Sequence, residues 1–146
     1  IAHNSMATIR NKSYRWEGGL TTVLSAKAAT GAGTGVDVGQ FRHVLVEISS
    51  DGGGNAALTV NCQGSVSDTE PTWGSAQSRT NMWDYISMND LQSALIVSGD
   101  TGLVYSTADD YRLFMVNTDG LKWLNFRVTA YTAGNVTVKI KGFNNQ

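Results

Sequence analysis

Cysteine, proline and charge are all scarce in this sequence. Cys62 is the only cysteine among 146 residues, which excludes an intramolecular disulfide framework and a cysteine-rich zinc site. Charged residues make up 16%, against roughly 25% in an average globular chain. Eleven basic and twelve acidic side chains leave a net charge of −1, so no broad positive footprint for nucleic acid is present. No apolar run approaches the roughly 20 residues of a membrane-spanning helix, and no segment reads as a signal peptide. Nucleic acid and membrane are therefore not expected as partners. Ile1 is not a start methionine. Trimming, processing and residues left over from cloning all account for this, the last with Met6 as the natural start and Ile1 to Ser5 as extra residues, so the first five residues, His3 included, carry no functional weight.

What replaces the missing charge is small and polar. Gly, Thr, Ser and Asn together account for 55 of the 146 residues, a composition poor in helix formers and rich in turn formers. An all-helical bundle is excluded on that ground. A hydrophobic content of 41% still supports one folded domain with a sizeable core.

Period-two alternation dominates from Thr21 onward. Val44, Val46 and Ile48 alternate with His43, Leu45 and Glu47, and Leu58, Val60 and Cys62 with Thr59, Asn61 and Gln63. Each pattern predicts a strand with one buried face. The glycine-rich stretch Ser50 to Asn55 between them predicts a hairpin loop, with the two strands paired antiparallel. Leu124, Phe126, Val128 and Ala130 alternate with Asn125, Arg127, Thr129 and Tyr131. After Thr132 to Asn135 the alternation resumes through Val136, Val138 and Ile140. This predicts a second hairpin, with Lys139 and Lys141 on a solvent face that discourages edge pairing. Tyr111 to Val116 is apolar on both faces, as a central strand requires. Weaker strands are expected over 21–28, 35–38, 83–88, 94–98 and 103–106, and a helical turn over Met88 to Ser93 with Asn89 as cap. Eight or nine strands at this spacing mark a sandwich or barrel. The expected fold is all-β: a single antiparallel β-sandwich, jelly-roll-like, over 21–146, with an extended N-terminal arm over 1–20.

Candidate chemistry is thin. His43 is the only histidine of the body and sits mid-strand away from the apolar set, which suits a solvated or interface position better than a catalytic base. Cys62 reads as a small buried core residue. Asp68 with Glu70, and Asp109 with Asp110, are carboxylate pairs in turn-like segments, where acidic residues are ordinary. Asp51 and Asn55 match no known calcium-loop spacing. Thr30 to Gly35 lacks the third glycine and the following helix of a dinucleotide fingerprint, and reads as a flexible turn. Asn11-Lys12-Ser13 and Asn135-Val136-Thr137 match the glycosylation tripeptide, a match that arises easily in an Asn- and Thr-rich chain. No catalytic residue, metal site or cofactor is expected, so the chain is not expected to be an enzyme.

Surfaces offer more. Trp123, Arg127 and Tyr131 fall on one expected sheet face, a composition that suits a protein interface or a carbohydrate-stacking platform, with Trp73 as a further aromatic. In the arm, Arg10, Lys12 and Arg15 stand against Glu17, with Ile9, Tyr14 and Trp16 between them. A merely disordered tail seldom spaces its aromatics so closely. Arg10, Lys12, Tyr14, Arg15 and Trp16 are therefore the candidate partner-binding residues of an arm that orders on a partner or adds a strand to a neighbouring sheet edge.

Four stretches carry a family resemblance: Ala29 to Gly39, Phe41 to Ile48, Gly64 to Trp73, and Leu121 to Val138 with its Tyr131-Thr132-Ala133-Gly134 turn. They cover under half the chain. In them the sequence resembles small β-rich virion proteins of tailed bacteriophages, chiefly head-decoration and related structural proteins, and tail accessory proteins as well. The resemblance implies a capsid decoration or cement protein that binds the major capsid protein, self-associates (a homotrimer is favoured) and resides in the virion after assembly in the host cytoplasm. It implies no catalytic residues. The alternative is a carbohydrate-binding module or a tail accessory or adhesion domain using exposed aromatics.

Overall fold

The computed structural model describes residues 16–50, 56–105 and 111–144. Thirteen strands run along it: β1 Trp16–Glu17, β2 Thr21–Lys27, β3 Gly31–Ala32, β4 Val36–Asp37, β5 His43–Ser49, β6 Ala57–Ser65, β7 Asp84–Ile86, β8 Met88–Asp90, β9 Ile96–Val97, β10 Leu103–Tyr105, β11 Tyr111–Asn117, β12 Trp123–Ala133 and β13 Val136–Asn144. All pairings are antiparallel. Sheet A has the order β1-β13-β5-β11-β8-β9, with β2 also against β13. Sheet B has the order β10-β6-β12-β3, with β4 against β12 and β7 against β6. This is an all-β sandwich.

The core is the layer between the sheets. Val44, Val46 and Ile48 of β5, Phe114 and Val116 of β11 and Val138 and Ile140 of β13 meet Leu58, Val60 and Cys62 of β6 and Leu124, Phe126 and Val128 of β12. All are at most 3% exposed. Each such side chain contributes about 1.5–3 kcal/mol when fully buried. Tyr105 enters the same layer, its hydroxyl donating to the Ile48 carbonyl at 3.1 Å.

Neither expected hairpin forms. β5 and β6 lie in different sheets: β5 pairs with β11 and β13, while β6 pairs with β12. β12 and β13 likewise part company, in sheets B and A. Alternation reports that one face is buried and is silent on which strand lies alongside. Both connections are corners from one sheet to the other. The second is short because β12 bends into it. Its register with β6 slips between Val128 and Ala130 and again between Tyr131 and Ala133, and such bulges increase twist and turn a strand between sheets. Gly134 completes the corner at φ +83, where an added Cβ would stand 2.7 Å from the Ala56 Cα.

Three smaller expectations also change. Lys139 and Lys141 lie on an interior strand, since β13 is flanked by β5 and by β1 and β2, so they guard no edge. β11 is internal as expected, yet Tyr111 and Leu113 on its outer face are exposed. The helical turn expected over Met88 to Ser93 is displaced to a single turn over 90–94, closed by the Ala94 amide on the Asp90 carbonyl at 2.8 Å. Met88–Asp90 is β8, and the cap is Asp90 rather than Asn89, its Oδ1 accepting from the Gln92 amide at 2.9 Å. Trp16–Glu17, within the expected arm, already forms the edge strand beside Phe143 and Asn144.

Gly134→Ala is expected to lower stability by more than about 1 kcal/mol, because φ there is positive and the corner leaves no room. Chemical denaturation of the two proteins measures it, and an unchanged midpoint would show that the corner is not tightly constrained.

Candidate interaction surface

The two outer faces of the sandwich have opposite fates. On sheet B, register places Trp123 opposite Ser65, Asn125 opposite Gln63 and Arg127 opposite Asn61. These side chains point away from the core, yet Asn61, Gln63 and Asn125 are at most 1% exposed. The segment 66–83, between β6 and β7, lies over them. Its Trp73 carbonyl accepts from Gln63 Nε2 at 3.2 Å and from Arg127 at 3.1 Å, and the Ser75 carbonyl accepts from Arg127 at 3.3 Å. The Arg127 guanidinium also sits over the Trp83 ring, 5.8 Å from its centroid. Trp123 donates its indole N–H to the Ser67 carbonyl at 3.0 Å, and Trp73 donates to Glu70 at 3.1 Å. Asn61 reaches the Gly99 and Asp100 carbonyls at 2.7 and 3.1 Å. Backbone carbonyls of irregular segments thus satisfy amides that would otherwise be orphaned at a cost of about 1–3 kcal/mol each.

This corrects the expectation of an exposed aromatic face. Trp123, Arg127 and Tyr131 are half-buried, and the Tyr131 hydroxyl donates to the Gly134 carbonyl at 2.9 Å. Trp73 and Trp83 are buried. The amides that read as solvent-facing are the floor beneath a covering loop. An 18-residue stretch with two tryptophans, a proline and no alternation was the available signal, since loops of that length with no strand of their own are uncommon.

Sheet A is open instead. Across its outer face Leu45 of β5 lies opposite Met115 of β11, Met115 opposite Asn89 of β8, and Asn89 opposite Ile96 of β9. Leu113 stands two residues from Met115 on the same face, and the Leu91 amide donates to the Leu113 carbonyl at 3.1 Å. Leu91, Leu95, Ile96, Tyr111 and Leu113 are exposed by 48, 68, 70, 62 and 43%. Single exposed apolar residues are ordinary; a contiguous set marks an interaction site. The patch is held in shape from below. Arg112, between Tyr111 and Leu113, turns inward to an ion pair with Asp90 and lies over the Phe114 ring. Burial alone pushes the Asp90 carboxyl up, but the Gln92 amide and the Arg112 guanidinium outweigh it and hold it below its ordinary 3.8. At the patch border the Tyr111 hydroxyl donates to Glu47 at 2.6 Å, which raises the phenol above its ordinary value.

The remaining candidates disperse. Arg10, Lys12, Tyr14 and Arg15 lie outside the described residues, as do Asn11, Asp51, Asn55, Asp109 and Asp110; Trp16 contributes its backbone to β1. His43 stacks on Phe143, ring centroids 5.3 Å apart. Cys62 is buried and its thiol is pushed well up by desolvation. Asp68 is exposed, and Glu70 is occupied by Trp73. Gly31 to Gly35 is more than a turn: Gly31–Ala32 pairs with β12, and an added Cβ at Gly33 would meet the Leu24 side chain at 2.9 Å. Among the described residues no group of three or more His, Cys, Asp or Glu side chains is placed to hold a metal ion.

No protein-family model matches the chain, and no curated protein matches it in sequence. Two solved structures share its fold. The SPBc2 prophage-derived protein YomS superposes with a TM-score of 0.64 at 17% identity, over 97% of this chain and 100% of YomS. The PBSX exported protein XepA superposes with a TM-score of 0.64 at 13% identity, over 99% of this chain but 48% of XepA. The chain therefore spans about half the length of XepA. At these identities the likeness is one of fold.

Two outcomes are expected. Arg127→Ala should destabilise by about 1–2 kcal/mol, since it removes the donor to the Ser75 carbonyl and leaves the Trp73 carbonyl with Gln63 alone, and should speed proteolysis within 66–83; cleavage at the wild-type rate would show that Arg127 does not hold the loop. Asp90 has a lowered carboxyl, so the stability it contributes is present above 3.8 and lost as pH falls through its folded value. Asp90→Asn should flatten the acid limb of stability measured by thermal melts between neutral pH and pH 2. An acid limb as steep as that of the wild type would remove Asp90 from the account.

Proposed function

We propose that this chain is a phage structural protein of the decoration or cement type, which docks the open face of sheet A against the major capsid protein. The observation that carries the reading is the exposed apolar strip of Leu91, Leu95, Ile96, Tyr111 and Leu113 on a body whose tryptophans, where described, are buried or half-buried. The fold it shares with two phage-derived proteins supports a phage origin. In this reading the protein is not an enzyme and needs no cofactor. It works in the virion by burying area across neighbouring shell subunits and opposing their dissociation by mass action, with repeated copies, as a homotrimer, adding avidity.

The strand order supports the jelly-roll-like form of the sandwich. β2, β5, β11 and β13 in sheet A interleave along the chain with β3, β6, β10 and β12 in sheet B, β6 and β10 being the one consecutive pair of the eight that shares a sheet, as two Greek keys do. The sugar-binding alternative has less to rest on: stacking needs an open ring face, Trp73 is 7% exposed, and Trp123 and Tyr131 are half-buried. A second reading has one observation in its favour. XepA is named an exported protein, which points to a phage product that acts away from the particle.

Fractionation of an induced lysate separates the two. The decoration reading expects the protein to sediment with heads, and the Leu95→Glu/Ile96→Glu double variant to bind them at least about tenfold more weakly, as the loss of two apolar anchors requires. Wild-type protein found wholly in the particle-free supernatant would overturn it in favour of the exported role.

A further inference from the structure

β9 is the last strand of sheet A, and among the described residues no strand pairs with its far side. The ladder decides which of its backbone groups face that side. Asn89 and Ile96 lie opposite each other, and one step along the Asp90 amide donates to the Leu95 carbonyl at 2.8 Å. In an antiparallel pair, residues that exchange hydrogen bonds alternate with residues whose backbone groups turn away from each other. Asn89 and Ile96 are therefore of the second kind. Asn89 turns toward β11, where the Leu91 amide on the Leu113 carbonyl at 3.1 Å fixes the same phase. Ile96 turns its N–H and its C=O to the open edge. On either side the outward groups are used internally: the Ala94 amide donates to the Asp90 carbonyl at 2.8 Å, and the Ser98 carbonyl accepts from the Gly102 amide at 2.9 Å.

The side chains around this edge agree with its backbone. Ile96 is on the outer face and Leu95, by alternation, on the core side, yet they are 70 and 68% exposed. β9 thus overhangs the sandwich, with an apolar group open on each face. From Leu91 to Gly99 there is no charged residue and no proline, the devices by which open edges refuse a further strand. Of the flanking acids, Asp90 is occupied by Arg112 and by the Gln92 and Ser93 amides, and Asp100 belongs to the turn closed by Gly102. One donor and one acceptor on a single extended residue, with no net charge beside them, complement another extended backbone. A helix offers no such match, because its backbone groups are already bonded within it.

We propose that an extended, uncharged, apolar segment of the shell subunit pairs with Ile96 and continues sheet A past β9, its side chains lying beside Leu95 on one face and Ile96 on the other. This rests on the head-binding reading and sharpens it from contact with a face to pairing with an edge.

Heads from the induced lysate are the probe. Ile96→Pro removes the outward N–H and leaves the β8–β9 ladder its bonds, a position where proline is tolerated. It should bind heads about tenfold more weakly than the wild type, as the loss of one hydrogen bond and of the register it sets requires. Ile96→Val, which keeps the N–H, should stay within about threefold; thermal melts establish that both variants fold. Hydrogen exchange of the wild-type chain needs no variant: the Ile96 amide should exchange at least about tenfold more slowly on heads than in the free protein. An Ile96 amide that exchanges on heads as it does in the free protein, or a folded Ile96→Pro chain that binds as tightly as the wild type, would overturn strand addition and leave head binding standing. Wild-type protein absent from heads would overturn both. Slowing that grows with protein concentration when no heads are present would give the edge to a second copy, and strand addition by the shell would again be overturned.

Discussion

One carbonyl oxygen organises the outside of sheet B. The Trp73 carbonyl accepts from Gln63 on β6 and from Arg127 on β12, tying the two central strands of the sheet to the loop above them. Once that loop is down, the amides of Asn61, Gln63 and Asn125 have lost water and must find protein partners. Their NH2 groups do so in the carbonyls of Gly33, Trp73, Gly99 and Asp100, while the Gln63 Oε1 stays buried without a partner. A polar face buried in this way tolerates few rearrangements, because each partner released leaves an orphan.

Closing one face makes the other the place to look for a partner. Sheet A carries its apolar strip over an inward ion pair, and the Asp90 side chain that binds Arg112 also caps the 91–94 turn. Leu91, Leu95 and Ile96 are therefore presented on a supported turn, and Leu113 on an internal strand. Preorganisation of this kind reduces the entropy lost on docking. The corner at Gly134 has a related effect on the body as a whole: β12 and β13 connect the sheets through two residues, and Gly134 packs against Ala56 at the other long crossing.

The strands themselves were legible. The runs His43 to Ile48, Leu58 to Cys62 and Leu124 to Val128 all bury the alternate set their pattern marks, and Cys62 is the core residue it was read to be. Partners were not legible. The two expected hairpins are both crossings, because a glycine-rich turn between alternating strands serves a corner as well as a hairpin. The candidate face was misread for a related reason. Trp123, Asn125 and Arg127 point away from the core as expected, but the fate of Trp123 and Arg127 depends on a loop whose contacting residues are 52 to 56 positions distant in the chain. The apolar strip of sheet A gave even less warning, since Ile96 and Leu113 come from two different strands and Leu91 and Leu95 from the turn between β8 and β9.

Composition and period by themselves determined that this chain is β-rich, that it folds around a layer of Val, Leu, Ile and Phe, and which alternate residues enter that layer, because burial of every second side chain is a local property of an extended backbone. Tertiary structure alone decided which strand lies beside which, which outer face is sealed and which stays open. Those outcomes rest on hydrogen bonds and contacts between residues far apart in sequence, such as Arg127 with Trp73 and Asp90 with Arg112, and no local pattern encodes a partner that only the completed fold brings near.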